Sequence, residues 1–261
     1  MAKKRTRIIA IANEKGGVGK TATVINLGAA LTKENKHVLI VDMDPQAGAT
    51  QGLGIEIKDG LPTVYNMIMD NNSFPFEKVA VNTRWKGIDI IPSNSDLSGA
   101  EVELVEIEGR ENKLKESLER ADGLYDFILV DTPPSLSLLT VNVFSFAKEV
   151  LVPCQTHPYA YTALKELFDT IEAIKEEINP DLKIIGLVAT FFDHRTRVCR
   201  GIMDKLMENE DTKKILFKTV IRANTTIAES AYVGKPVVFY RSTSFGATDY
   251  FNLAKELQQR N

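Results

Sequence analysis

The chain has 261 residues, of which 44% are hydrophobic and 26% charged, with a net charge of −3. This is the balance of a soluble chain with a packed core, and it excludes a disordered protein, a collagen and a disulfide-stapled mini-protein. Cys154 and Cys199 are the only cysteines, which suits a reducing cytoplasm and excludes a Cys-rich zinc module.

Residues 1–7 form a basic arm with Lys3, Lys4, Arg5 and Arg7. The apolar stretch 8–12 after it is too short for the core of a signal peptide. Short apolar runs then alternate with segments of helical period. Strands are expected at 7–13, 37–42, 88–92, 126–131, 149–153, 183–192, 216–221 and 237–239. Several are apolar throughout, the pattern of parallel strands covered on both faces. A helix is expected between the first two strands, where Val24, Leu27, Gly28 and Leu31 share one stripe. Further helices are expected at 63–69, 95–108, 111–121, 162–178, 201–207, 227–233 and 247–259. This alternation predicts one α/β domain over 8–261, a single doubly wound, mostly parallel sheet flanked by helices. Residues 51–86 are the least regular and read as an inserted flap. The longest later apolar run, 141–154, is broken by Lys148 and Glu149, so no stretch reaches the roughly 20 residues of a membrane span.

The segment Asn13-Glu14-Lys15-Gly16-Gly17-Val18-Gly19-Lys20-Thr21 leaves the first strand and enters the first helix. Glycines let backbone N–H groups approach phosphate oxygens closely, and the helix N-terminus adds its positive end. Lys20 is expected to reach the β- and γ-phosphates and Thr21 to offer its hydroxyl to Mg²⁺. The strict phosphate-loop pattern fails at its first glycine position, which holds Glu14.

Two strands end in acids. The strand 37–42 runs into Asp42-Met43-Asp44-Pro45-Gln46, and the strand 126–131 into Asp131-Thr132-Pro133-Pro134. In doubly wound sheets the carboxyl ends of strands gather the chemistry, which places these acids near the phosphate loop. Asp44 is the better candidate to hold an attacking water. Asp42 supports either Mg²⁺ or the loop itself. Asp131 is expected to hold Mg²⁺ through water.

Lys15-Gly16-Gly17-Val18-Gly19-Lys20-Thr21 resembles the signature of the deviant Walker A ATPases, the superfamily of the ParA/Soj partitioning ATPases, the MinD proteins and the nitrogenase iron protein. Asp42-x-Asp44-Pro45-Gln46, Asp131-Thr132-Pro133-Pro134-Ser135, Val152-Pro153-Cys154-Gln155 and Gly234-Lys235-Pro236 resemble the ParA/Soj branch. That resemblance runs from Ile8 to Leu257. It implies a P-loop NTPase fold, ATP and Mg²⁺ as cofactors, and slow hydrolysis of ATP to ADP and phosphate. It also implies an ATP-dependent sandwich homodimer in which Lys15 crosses to the partner's nucleotide, much as an arginine finger does. Lys15, Lys20 and Asp44 would carry catalysis. Lys15 to Thr21 with Ala22 would bind the phosphates, and Arg222-Ala223-Asn224 would close over the adenine, with Asn224 reading the base edge. The sequence departs from the branch at two of these positions. Ala22 replaces a second Thr and loses a hydroxyl to the α-phosphate. Arg222 stands where Pro is usual.

The resemblance further implies non-specific binding of double-stranded DNA and a ParB-type centromere-binding partner that stimulates hydrolysis. Such a protein is cytoplasmic and nucleoid-associated, with no membrane partner, and moves plasmid or chromosomal cargo. From residue 193 to the end the charge balance is +4. There Arg195, Lys235 and Lys255 match basic positions of the branch, while Thr226 stands where a basic residue is often found. Arg197, Arg200 and Arg241 are further candidates for phosphate contact. The tail 250–261 carries only Lys255 and Arg260 as cations, so it reads as a docked helix and not as the basic membrane helix of MinD. The alternative function is a MinD-like or other cargo-positioning ATPase acting on a membrane or protein scaffold.

Overall fold

The computed structural model describes residues 5–260; residues 1–4 of the basic arm lie outside that range. Seven strands form one sheet: β1 (Arg7–Ile11), β2 (Val38–Asp42), β3 (Val81–Asn82), β4 (Ile88–Ile91), β5 (Phe127–Asp131), β6 (Glu149–Gln155) and β7 (Lys183–Thr190). Their order is β3-β4-β2-β5-β1-β6-β7, parallel throughout except for the short edge strand β3. Every residue of β2 and of β5 is buried, which explains their unbroken apolar runs. Successive side chains point to opposite faces. Ile8 and Ala10 thus join one core cluster, and Ile9 and Ile11 the other. The doubly wound α/β architecture agrees with the sequence reading.

The first helix, α1 (Lys20–Lys33), connects β1 to β2. The terminal helix Phe245–Gln259 packs against it and buries Tyr250, Leu253, Ala254 and Leu257. A fully buried leucine contributes about 1.5–3 kcal/mol, so Leu253 and Leu257, together with Tyr250, anchor the helix firmly. Among the described residues no helix is long and apolar enough to cross a membrane.

Four expectations are corrected. Residues 216–221 run beside β7, with Phe217 N donating to Leu187 O and Ile221 N to Ala189 O. Between those bonds the chain bulges, because Lys218 and Thr219 give their N–H groups to the Glu256 carboxylate at 2.8 and 2.9 Å. No strand therefore forms. Residues 237–239 belong to the short helix Val237–Tyr240, entered from Pro236, with the Val237 N–H held by buried Asn26. Val237 and Val238, β-branched and buried, mimicked a strand. The helix Leu138–Phe146 was not expected; it is buried nearly all round, so its sequence shows no helical period. The segment 51–86 is no flap. Its helices Val64–Met69 and Phe76–Val79 bury Met67, Ile68, Phe76 and Val79 in the core, and β3 extends the sheet. The helix expected at 63–69 is there, whereas Phe76–Val79 and the two residues of β3 are too short to reveal a period.

Candidate active site

The loop between β1 and α1 is tied down on three sides. Asn13 Nδ2 donates to Pro153 O at the end of β6 (2.8 Å), and Asn13 Oδ1 accepts from Lys15 N (2.9 Å). Thr190 Oγ1, at the end of β7, donates to Val18 O (2.8 Å). Gly17 (φ 75°) and Gly19 (φ 90°) hold left-handed conformations that other residues adopt only with strain. The result is an open-faced loop, with Gly16 and Gly17 exposed, running into the N-terminus of α1. Glu14, in the missing glycine's position, keeps Oε1 buried without a partner. Lys20 is almost wholly buried, and its Nζ donates to Lys15 O (3.3 Å). Burial lowers its pKa, while Asp131 and Asp44 favour its charged form. A buried ammonium folded under exposed backbone N–H groups is a site for an anion.

Asp42 and Asp131 end neighbouring strands in register. Asp42 is fully occupied: Thr50 donates from both N (2.8 Å) and Oγ1 (2.7 Å), and Asp44 donates from N (3.2 Å). These bonds tie Asp42 to the segment that follows β2, residues 44–50, and not to the phosphate loop. Desolvation pushes its pKa up to about 6 despite those bonds. Asp131 is buried with both carboxylate oxygens lacking a hydrogen-bond partner. Desolvation and the neighbouring Asp42 push its pKa well above the usual carboxylate range, and only Thr21 and Lys20 counter this. An orphaned buried carboxylate beside a threonine hydroxyl is the hard, sparse donor set that Mg²⁺ takes, with water and phosphate oxygens completing the shell. Asp44 is half-buried, and its Oδ1 accepts from Gln46 N (2.9 Å).

Beside the loop lies a mostly apolar cavity of about 200 Å³. Gly19 and Ala22 border it on one side and Arg222 and Asn224 on the other, with Phe191 and Tyr250 among its walls. Asn224 Oδ1 caps the helix Thr225–Tyr232 by accepting from Thr226 N (2.8 Å). That leaves its amide NH₂ for a ligand. Arg222 is bound by Asp249: Nη2 donates to Oδ1 (2.5 Å), Nε to Oδ2 (3.0 Å), and the backbone N to Oδ2 (3.0 Å). Its guanidinium also lies 4.3 Å from the Phe245 ring centroid. The arginine in the proline position is thus a fixed strut at the cavity's rim.

The structure brings Lys20, Thr21, Asp42, Asp44 and Asp131 together at one end of the sheet. Lys15 points elsewhere, its Nζ 5.7 Å from the ring centroid of Tyr159, a residue 74% exposed. Arg195 is held by Asp193 through Nε (3.0 Å) and Nη2 (2.8 Å). Lys255 is exposed on the terminal helix, and Lys235 lies over Trp85. Sequence reasoning missed Thr50, Thr190, Phe191 and Tyr159. None carries a local signal: Thr50 reaches back to Asp42, while Thr190 and Tyr159 meet the phosphate loop from far along the chain.

A family model described as an AAA domain matches residues 6–184. The sporulation initiation inhibitor protein Soj of Bacillus subtilis is 41% identical over 251 residues, covering 96% of this chain and 98% of its own length. The chromosome partitioning protein ParA of Myxococcus xanthus is 39% identical over 255 residues, covering 98% and 89%. Among solved structures, cobyrinic acid a,c-diamide synthase from Mycobacterium smegmatis with bound ADP and magnesium matches with a TM-score of 0.83. Its identity is 34%, covering 97% of this chain and 94% of that one.

Proposed function

Because the chain belongs to the ParA/Soj family of chromosome partitioning proteins, we propose that it is a partitioning ATPase whose cofactors are ATP and Mg²⁺ and that works as a nucleotide-gated dimer on DNA. One observation carries this reading: the orphaned carboxylate of Asp131 lies beside Thr21, at the foot of the glycine loop that holds buried Lys20. Lys20 and the backbone N–H groups of residues 16–21 neutralise the phosphates. Thr21 and, through water, Asp131 would hold Mg²⁺, which would offset charge on the phosphate oxygens. Asp44, its carboxylate fixed by Gln46 N, orients the attacking water. The cavity between Ala22 and Asn224 takes the base.

Lys15 lies outside this pocket in the monomer, beside exposed Tyr159. That placement fits a lysine that acts across a dimer interface. Dimerisation on ATP then gathers the cations of two copies on one surface, which binds double-stranded DNA through its phosphates. A ParB-type partner stimulates hydrolysis and so releases the dimer. The terminal helix spends Tyr250, Leu253 and Leu257 on packing inside the fold, which favours DNA over the MinD-like alternative.

Isothermal titration with MgATP tests the site. Wild-type protein should bind and Lys20→Ala should not. Retained micromolar affinity in the variant overturns the assignment.

A further inference from the structure

Three cations converge on one stacked aromatic pair. Trp85, in the turn between β3 and β4, stacks on Phe239 with ring centroids 5.3 Å apart and planes 8° from parallel. Lys33 Nζ lies 4.8 Å from the Phe239 centroid. Arg84 Cζ lies 4.7 Å, and Lys235 Nζ 5.8 Å, from the centroid of Trp85. Hydrogen bonds lock the arrangement: Arg84 Nη2 donates to Gly234 O (2.8 Å) and Trp85 Nε1 to Leu53 O (3.3 Å). The end of α1, the β3–β4 turn and the loop before Pro236 thus form one basic surface. Lys33 and Arg84 are exposed and Lys235 half-buried, and exposed Lys86 continues the same turn. Among the described residues no ion pair engages Lys33, Arg84 or Lys235.

We propose that Lys33, Arg84 and Lys235, mounted on the Trp85–Phe239 stack, form a binding surface for the phosphate backbone of double-stranded DNA. This rests on the reading of the protein as a DNA-binding partitioning ATPase and adds two residues that no motif marks. A cation held over a ring keeps its charge while losing much of its side-chain freedom beforehand, so less entropy is lost on meeting a phosphate. Both rings already carry a stacking partner and a cation. They serve as mounts for charge and not as platforms for unpaired bases, which favours a duplex over a single strand.

Trp85 is the only tryptophan of the chain, so its emission reports on this surface alone. With ATP present, adding either of two unrelated duplexes should change that emission. Fluorescence anisotropy across a salt series should show the Lys33→Gln/Arg84→Gln variant binding at least tenfold more weakly. Its log–log salt slope should be smaller by about 1.8, two contacts at roughly 0.9 each. Gln at 84 retains an amide donor for Gly234 O, and ATP-dependent dimerisation by size exclusion should match wild type. Unchanged affinity and slope in the double variant, with wild type binding DNA normally, overturns the surface alone. Wild type that binds no duplex overturns the DNA reading and the surface with it. A Trp85 response to anionic phospholipid vesicles but not to duplex overturns the proposal in favour of a membrane.

Discussion

Asp42 and Asp131 stand side by side at the ends of β2 and β5, and only Asp42 has its oxygens occupied. Desolvation raises the proton affinity of both carboxylates, and at Asp131 the charge of the adjacent Asp42 adds to it. Without a cation, this pair is a cost to the fold. It is the arrangement expected of a place built to receive one.

Replacing Asp131 by Asn should therefore stabilise the protein in the absence of Mg²⁺. The gain comes from removing a buried carboxylate that no hydrogen bond compensates. The same variant should lose the rise in melting temperature that MgATP gives wild type. Thermal unfolding in EDTA, then with MgATP, reads both. A variant less stable than wild type in EDTA contradicts the strained-pair account.

The pair also sets a pH dependence. Asp42 titrates near 6 in the fold against 3.8 as a free side chain. Between those values the folded state holds the proton and the unfolded state has released it. Stability from this group is thus complete below about pH 4 and lost as pH rises through 6. Asp131 shifts in the same direction and extends the loss upward. Other acids shift downward, Asp193 among them, so the measurement is a difference. Wild type minus the Asp42→Asn/Asp131→Asn variant, by urea denaturation without Mg²⁺, should fall from pH 4.5 to 7. A difference that stays flat or rises rules the coupling out.

The phosphate loop and both acidic strand ends were legible because each is a local pattern: a strand, special residues at fixed spacing, then a turn or helix. On the base side of the cavity the resemblance pointed to Ala22, Arg222 and Asn224, which do border it, but the rest of the wall was hidden. Phe191 takes a left-handed conformation (φ 52°) that nothing in the sequence signals. The partner of Arg222 is Asp249, 27 residues later in another helix. Arg84 meets Gly234 across 150 residues. The buried helix Leu138–Phe146 failed for the opposite reason: its local signal exists but lacks a period, because water touches too little of it.

Lys15 and Asp44 should separate two steps of the cycle. Lys15 sits over exposed Tyr159, outside the nucleotide pocket. Lys15→Ala should bind ATP within about threefold of wild type but fail to dimerise. Asp44→Ala should bind ATP, dimerise and stall, with hydrolysis down about 100-fold or more, the scale of losing a positioned base or water. Size exclusion with ATP and a phosphate-release assay distinguish them. Normal ATP dimers from Lys15→Ala would show that the lysine does not act in trans.

Arg195 matches a DNA-binding position in sequence, yet in the structure its guanidinium is engaged by Asp193 through two side-chain nitrogens. The arginine holds the Asp193 carboxyl down to about 2, so the aspartate stays ionised at any working pH. A DNA phosphate must displace that carboxylate before it gains Arg195. Both groups are solvated, so the exchange is small in energy, but it cancels most of the electrostatic gain. Arg195→Ala should consequently weaken DNA binding less than Lys235→Ala does. Asp193→Asn should tighten binding severalfold and steepen the log–log salt slope by about 0.9, the value of one added contact. Asn preserves an oxygen to accept from Arg195 N, a bond of 2.9 Å in the native loop, so the loop should keep its shape. Anisotropy on one duplex across a salt series compares the three variants. If Asp193→Asn changes neither affinity nor slope while Arg195→Ala abolishes binding, the ion pair opens freely and the ranking of Lys235 above Arg195 is wrong.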